Sequence, residues 1–265
     1  MYSPVMMVFK YLRYYVTASN GKGHGVHSPF VFDFIDQVLN DDRQFYAFKQ
    51  IENVRQLLLN NQRIIEMEDS EVVTRKKRLT SGTIAEMAQS SLMPAKFGQL
   101  LFHMVDRYAP SQILELGTSF GVTSSYLAMA NENASVTTME GVKAVAASAR
   151  EQFKKLGIRN CRLIEGNINE ALPQWLKDGR EPDLVLIDAN HRYESTMYYF
   201  RQLLEHIHDN SILIFTRIHE SAEMEQAWKE IQEMEAVTFS IDLFYLGIVL
   251  FRKEFHTKQH ISIRF

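Results

Sequence analysis

The stretch DLVLIDANHRYES, residues 183–195, closes an aliphatic run with Asp188 and places His191 three positions later. Such a run, too short for a helix of its own, reads as a buried strand that delivers both side chains at its carboxyl end. An imidazole with an ordinary pKa of about 6.5 is a competent general base at neutral pH. The structural alternative is that His191 caps the following helix or faces solvent.

A second stretch carries a different chemistry. LELGTSFGVTSSYLA, residues 114–128, sets Glu115 at the end of an aliphatic run, then Gly117 and Gly121 around a tight turn, with Thr118 and Ser119 between them and a helix from about Val122. Glycines let a backbone approach a ligand closely. A carboxylate beside them attracts an ammonium group and repels a pyrophosphate. The spacing G-x-x-x-G also departs from the G-x-G-x-x-G of dinucleotide sites, which disfavours a nicotinamide dehydrogenase. The next aliphatic run ends in Glu140, 25 residues after Glu115, where an acid can accept hydrogen bonds from a ribose diol.

These residues need a frame that brings strand ends together. From about residue 84, aliphatic runs (QILELG, SVTTME, CRLIEG, DLVLID, SILIFT) alternate with amphipathic stretches such as GVKAVAASAREQFKKLG and RYESTMYYFRQLLEHI. That rhythm predicts an α/β fold, a doubly wound parallel sheet with helices on both faces. VTFSIDLFYLGIVLF, residues 237–251, has no room for a helix and predicts a terminal hairpin with an antiparallel strand. The composition divides the chain into an N-terminal helical extension with a charged linker, residues 1–82, and a main domain, residues 83–265. Within the extension, SNGKGHGVHSP breaks the helices, and EMEDSEVVTRKKRLTSG, residues 66–82, reads as a linker or loop with a solvated basic run. In MYSPVMMVFKYLRYYV, a helix aligns Val5, Phe9, Leu12 and Val16, while Lys10 and Arg13 interrupt the apolar run far short of a membrane span. The expectation is a helix docked on its own domain, over a ligand cleft, or on a second subunit, so that a homodimer is compatible. Peripheral membrane binding would use the same pattern.

Composition excludes several partners. The 265 residues, 46% hydrophobic, suffice for one sizeable core. A net charge of −3 provides no cationic field for nucleic acid. The single cysteine, Cys161, excludes an intrachain disulfide and fits a reducing, cytoplasmic setting.

Residues 91–252 resemble the class I S-adenosylmethionine-dependent methyltransferases, and within them the catechol and caffeoyl-coenzyme A O-methyltransferase-like family. The matching stretches are LMPAKFGQLL, LELGTSFGVTSSYLA, TTMEGVKA, IEGN and LIDANHRYE; the whole chain, with GHGVHSPFVFDF and ISIRF, resembles a bacterial subgroup of such enzymes. The resemblance implies a Rossmann-like seven-stranded sheet in the order 3-2-1-4-5-7-6 with strand 7 antiparallel. It implies S-adenosylmethionine as cofactor and S-adenosylhomocysteine as product. Glu115 and the turn Gly117, Thr118, Ser119 and Gly121 would hold the methionine part, Glu140 the ribose, and Asn167 would lie against the adenine. Asp188 would stand beside the reactive methyl, and His191 where catechol-type enzymes carry a lysine that helps deprotonate the acceptor.

One departure from the family pattern bears on mechanism. Catechol-type enzymes hold a divalent metal through the acid after the fourth strand and an Asp-Asn pair after the fifth, where ILIFTRIHES supplies Thr216 and Arg217. A hydroxyl and a fixed cation suit a hard dication poorly, so no metal is expected. Two functions follow. One is metal-independent O-methyl transfer to a small-molecule acceptor, with His191, Asp188 and Arg217 as the catalytic set. The other is a cofactor-binding protein without turnover that serves as an interaction or regulatory module.

Overall fold

The computed structural model describes residues 1–19, 21, 29–68, 79–255 and 257–265. In chain order the elements are α1 (Pro4–Thr17), α2 (Pro29–Phe34), a π-helical turn (Ile35–Leu39), α3 (Tyr46–Leu59), β1 (Ile64–Glu68), β2 (Leu79–Thr83), α4 (Ile84–Ser91), α5 (Ala95–Tyr108), β3 (Gln112–Leu116) and α6 (Val122–Ala130). They continue as β4 (Ser135–Glu140), α7 (Lys143–Leu156), β5 (Cys161–Glu165), α8 (Ile168–Leu176), β6 (Leu184–Ile187), α9 (Tyr193–Leu204), β7 (Ile212–Thr216), α10 (Ala222–Glu233), β8 (Phe239–Asp242), β9 (Leu246–Leu250) and β10 (Gln259–Ser262). Compactness divides the chain into one unit of residues 42–174 and another formed by 1–41 with 175–265, a criterion different from the composition change near residue 83.

In the unit 42–174, β3, β4 and β5 are parallel, with β4 between the other two. β3 is buried from Ile113 to Leu116, as expected of a strand covered on both faces. α5 and α6 pack closely because Gly98 leaves room for Tyr126: a Cβ at Gly98 would lie 2.6 Å from the tyrosine ring. Around that contact, Ile51, Leu58, Ile84, Phe102, Phe120 and Tyr126 form a continuous core. The interior of the expected linker, 69–78, lies outside the described residues. Its flanks are paired, β1 against β2 antiparallel, with Ile64 opposite Thr83 and Glu68 opposite Leu79. Thr83 then starts α4 with a reciprocal cap, its hydroxyl accepting from Glu86 N and the Glu86 carboxylate accepting from Thr83 N. Linker character inferred from charge is thus corrected at both flanks, because pairing there depends on partners distant in sequence.

In the other unit β6 and β7 are parallel, β9 is antiparallel to both β7 and β8, and β10 adds a parallel strand beyond β8. The predicted order is therefore found within each unit, 3-2-1 in one and 4-5-7-6 in the other, with the seventh strand antiparallel. The edge strand β10 lies outside the sequence expectation. α10 lies against the sheet where Gly247 makes room for Trp228; a Cβ there would lie 2.7 Å from the indole. The predicted break at SNGKGHGVHSP falls mostly outside the described residues.

The stripe of α1 faces the wrong way for docking on this chain. Val5, Phe9, Leu12 and Val16 are 81%, 67%, 56% and 75% exposed. The helix is fastened by its other face: Tyr2 Oη donates to Glu225 (2.8 Å), Lys10 Nζ to both oxygens of Glu225 (2.8 and 2.9 Å), and the buried Tyr14 hydroxyl to the Ile263 carbonyl. Among the described residues no helix is long and apolar enough to cross a membrane.

Candidate functional site

In the unit 42–174 the turn after β3 is shaped by positive φ at Gly117 (100°), Ser119 (48°) and Gly121 (80°). Gly117 N and Thr118 N donate to the Met139 carbonyl (3.0 and 3.1 Å), which ties the turn to β4. Gly121 begins α6, and any Cβ there would meet Phe153 at 2.8 Å and Ala149 at 3.2 Å. Here glycine serves helix packing as well as the left-handed backbone.

Glu140 stands in front of this turn. Its carboxylate accepts Ser119 N on one oxygen and Val142 N on the other, both at 2.9 Å. Burial pushes its pKa up, while the backbone N–H groups of Val142, Ser119 and Gly141 oppose the rise. Each oxygen keeps lone-pair capacity beyond these bonds. Gly166 N donates to the Glu140 carbonyl (2.9 Å), so the segment after β5 lies alongside. A Cβ on Gly166 would meet open space. The Asn167 side chain accepts Asn169 N (2.9 Å) and its carbonyl accepts the Glu170 and Ala171 N–H groups, which opens α8.

Glu115 is placed differently from the sequence expectation. It is 0% exposed, and one carboxylate oxygen accepts the hydroxyls of Ser124 and Thr138, the latter at 2.5 Å. With its own proton directed at Glu115, the Thr138 hydroxyl accepts from Thr118 at 2.6 Å. The acid thus stands behind the turn and braces it. Burial on both faces of β3 hid this, because alternation does not tell inside from outside there. Thr138 and Ser124 were not singled out from sequence; the signal was a hydroxyl pair in SVTTME, polar side chains within a buried run.

In the other unit, Asp188 follows β6 and Thr216 ends β7. Thr216 Oγ1 donates to Asp188 Oδ1 at 2.5 Å. His191 Nε2 lies 2.8 Å from the same hydroxyl oxygen and 3.2 Å from Asp188 Oδ1. Since the one hydroxyl proton is directed at the carboxylate, Thr216 accepts from Nε2–H. The neutral ring then carries its lone pair on Nδ1. Asn190, with φ of 51°, shapes the bend between the two residues and donates to the Tyr199 hydroxyl at 2.7 Å. Thr216, read from sequence only as a lost metal ligand, therefore links Asp188 to His191.

Arg217 follows with φ of 56°. Its backbone N–H donates to the Tyr245 carbonyl (2.6 Å) and Nη1 lies 3.5 Å from Glu220 Oε1. Burial works against its charge, but Tyr245, Asp188 and Glu220 together raise its pKa further. A cavity of about 90 Å³ opens beside it, lined by Met7, Arg217, His219, Glu220, Phe244 and Tyr245. Among the described residues no three His, Cys, Asp or Glu side chains converge as metal ligands. His208 instead pairs with Asp183 (3.0 Å), and His219 lies between Glu225 (3.1 Å) and Asp242 (2.7 Å).

With this geometry in hand, comparison with known proteins is specific about the fold. Residues 114–216 match a family model described as a methyltransferase domain. A methyltransferase from Podospora anserina, solved bound to S-adenosylhomocysteine, superposes with a TM-score of 0.61 at 16% identity, over 81% of this chain and 92% of that one. An O-methyltransferase from Bacillus cereus in complex with S-adenosylhomocysteine gives 0.56 at 15% identity, over 79% and 92%. The O-methyltransferase TomG from Streptomyces achromogenes, with S-adenosylmethionine, gives 0.53 at 20% identity, over 61% and 82%. Among curated sequences, an uncharacterized RNA methyltransferase of Bacillus cereus is 34% identical over 68 residues, 26% of this chain, and one of Enterococcus faecalis is 32% identical over 68 residues. The chain spans only 15% of the length of these relatives.

Proposed function

We propose that this chain is a class I S-adenosylmethionine-dependent methyltransferase of the O-methyltransferase-like kind, which methylates an oxygen of a small molecule without a divalent metal. The observation that carries the proposal is the hydrogen-bonded set Asp188, Thr216 and His191, which leaves His191 Nδ1 as a free base at the strand ends.

The residues fit the cofactor. Glu140, already fixed by two backbone N–H groups, presents its remaining lone pairs to a ribose diol, and Gly166 leaves room beside it. The turn from Gly117 through Thr118 and Ser119 to Gly121 would receive the amino-acid part, with Glu115 acting from behind through Thr138. Asn167 completes the proposed contacts in this unit. S-adenosylmethionine, when bound, supplies an electrophilic methyl on a sulfonium. A metal does not fit: Thr216 spends its hydroxyl on Asp188, and Arg217 places a fixed cation where the family carries a ligand.

The protein's own task is to align the acceptor and take its proton. His191 receives the hydroxyl proton at Nδ1, and the imidazolium so formed is stabilised by Asp188 at 3.2 Å and by the Thr216 oxygen. Arg217, charged at any working pH, stabilises the developing oxyanion of the acceptor. The Met7, Phe244 and Tyr245 walls of the adjacent cavity favour a compact, partly apolar acceptor group. A net charge of −3 supports a small molecule over RNA as acceptor, despite the names of the partial sequence relatives. Transfer of labelled methyl from S-adenosylmethionine to phenolic and hydroxy-acid acceptors, in chelator, tests the reading. Turnover that vanishes in chelator and returns with magnesium would refute the metal-free mechanism. Cofactor binding with no turnover of any acceptor would favour the binding-module alternative.

A further inference from the structure

Two residues of the cavity wall, Arg217 and Phe244, are held at positive φ, 56° and 67°. Side chains of this size seldom adopt that backbone, and it persists where neighbours over-determine it, most often around ligand sites. Here the neighbours are identifiable. Arg217 N–H donates to the Tyr245 carbonyl (2.6 Å), and Phe244 N–H donates to Asp242 Oδ1 (2.7 Å). The other Asp242 oxygen holds His219, whose ring stacks on Phe244 with centroids 5.3 Å apart and planes at 26°. From α1, the rings of Tyr11 and Tyr14 approach Phe244 at 5.1 and 5.3 Å, and Met7 completes the wall. Backbone strain at two points of one cavity of about 90 Å³ marks a shaped site, since a packing gap would leave the chain free to relax.

We infer that Met7 sets the size of the acceptor, which carries beside its reacting hydroxyl an uncharged aliphatic group of about three or four non-hydrogen atoms. This specificity rests on the transferase function proposed above. Size follows from the cavity. A void of about 150 Å³ holds a benzene ring, so about 90 Å³ holds, in proportion, a group little more than half as large. Charge follows from the wall. His219 has Nδ1 facing Glu225 (3.1 Å) and Nε2 facing Asp242 (2.7 Å), and Arg217 Nη1 faces Glu220 at 3.5 Å. An incoming carboxylate would meet Glu220 along with Arg217, and an ammonium would meet Arg217, so either would lose water for a poorly matched partner. Met7 and Phe244 instead offer apolar surface to an uncharged group. The unbranched thioether chain of Met7 adapts to the shape of such a group, while α1, tied to Glu225 through Lys10, limits how far it can retreat.

Transfer of labelled methyl by the full chain tests the inference, with phenols that carry methyl, isopropyl, phenyl or carboxylate at each ring position in turn. In the wild type kcat/KM should be highest for an isopropyl-bearing phenol and about 10-fold lower or more for its phenyl and carboxylate analogues, the discrimination an apolar pocket gives. Met7→Ala enlarges the cavity toward the volume that holds a ring. It should raise kcat/KM for the phenyl analogue by about 10-fold, leave the carboxylate analogue poor, and leave S-adenosylmethionine affinity and thermal unfolding unchanged. Met7→Phe should depress the isopropyl analogue by a similar factor. A wild type that methylates the phenyl analogue as well as the isopropyl one overturns the inference, as does a Met7→Ala variant with the wild-type ranking. Binding is read separately in protein labelled with 13C-methyl methionine, where the Met7 resonance is the one missing from Met7→Ala. It should shift with the isopropyl-bearing phenol and stay in place with the phenyl and carboxylate analogues. If no phenol is turned over, the proposed transferase function fails; the same ranking in the Met7 shift then upholds the cavity assignment, and its absence overturns it.

Discussion

At the ends of β3 and β4 the acids are held by backbone and by core hydroxyls, whereas at the ends of β6 and β7 the proposed catalytic side chains hold one another. Glu140 accepts two main-chain N–H groups, and Glu115 is locked behind the turn by Ser124 and Thr138. Asp188, Thr216 and His191 form a side-chain chain of bonds, followed by an arginine in a left-handed conformation. Backbone-held groups suit the binding of an invariant cofactor, because their positions follow from the fold. Side-chain sets can be exchanged without disturbing a strand, so chemistry can change there while binding persists. In the proposed metal-free mechanism, Thr216 and Arg217 are such an exchange.

The largest effect should fall on the side-chain set. His191→Ala should lower kcat by on the order of 100-fold with cofactor affinity retained, the low end for losing a general base. Thr216→Val should cost less, and mainly in kcat, because Asp188 can still hold Nε2. Rates that survive His191→Ala would make the histidine structural and erase the contrast between the two regions.

At the backbone-held end, Gly121→Ala should lower stability by about 3 kcal/mol, combining a left-handed alanine with overpacking against Phe153. Thermal unfolding measures it. A smaller loss is expected for Glu140→Ala, with S-adenosylmethionine affinity falling by about 1 to 3 kcal/mol in calorimetry. Unchanged affinity would remove Glu140 from the ribose. Thr138→Val should cost about 1 kcal/mol of stability and loosen the turn through Thr118.

How far the sequence disclosed this arrangement follows the same division. The aliphatic runs marked β3 through β7, the glycines of the turn and the terminal hairpin, because burial and positive φ leave compositional traces. The edge strand β10 and the β1–β2 ribbon left none, since QHIS and LTSGT are ordinary surface sequences whose pairing is decided by distant partners. Periodicity showed which side of α1 is apolar but not that it points outward. Glu115 was found as an acid at a strand end, yet its burial was invisible because a strand covered on both faces has no polar side. His191 and Asp188 were readable as neighbours three residues apart. That Thr216 joins them needed β7 beside β6, a register no local pattern encodes.

The smallest effect expected is on the anchorage of α1, and its pH dependence has a definite sign. His219 lies between Asp242 and Glu225, and Glu225 also receives Lys10 and Tyr2 from the N-terminal segment. Burial lowers the His219 pKa, but the hydrogen bonds and charges of Asp242 and Glu225 outweigh it and raise the value above the ordinary one. For a histidine raised on folding, the stabilisation is complete below the unfolded value of about 6.5 and disappears as pH climbs through the folded value. Glu225 is partly buried, which works against its charge, but Lys10, Tyr2 and His219 bring its pKa below the ordinary value. Its contribution is therefore present above its unfolded value and is lost only in acid. The anchorage should be firmest in mildly acidic solution and loosen on the alkaline side. Hydrogen exchange of α1 amides should accelerate as pH rises beyond the trend of the intrinsic rate, and His219→Gln should flatten that excess. An excess that persists in His219→Gln would place the titrating group elsewhere, and an excess that grows toward acid would make Glu225 the dominant member of the cluster.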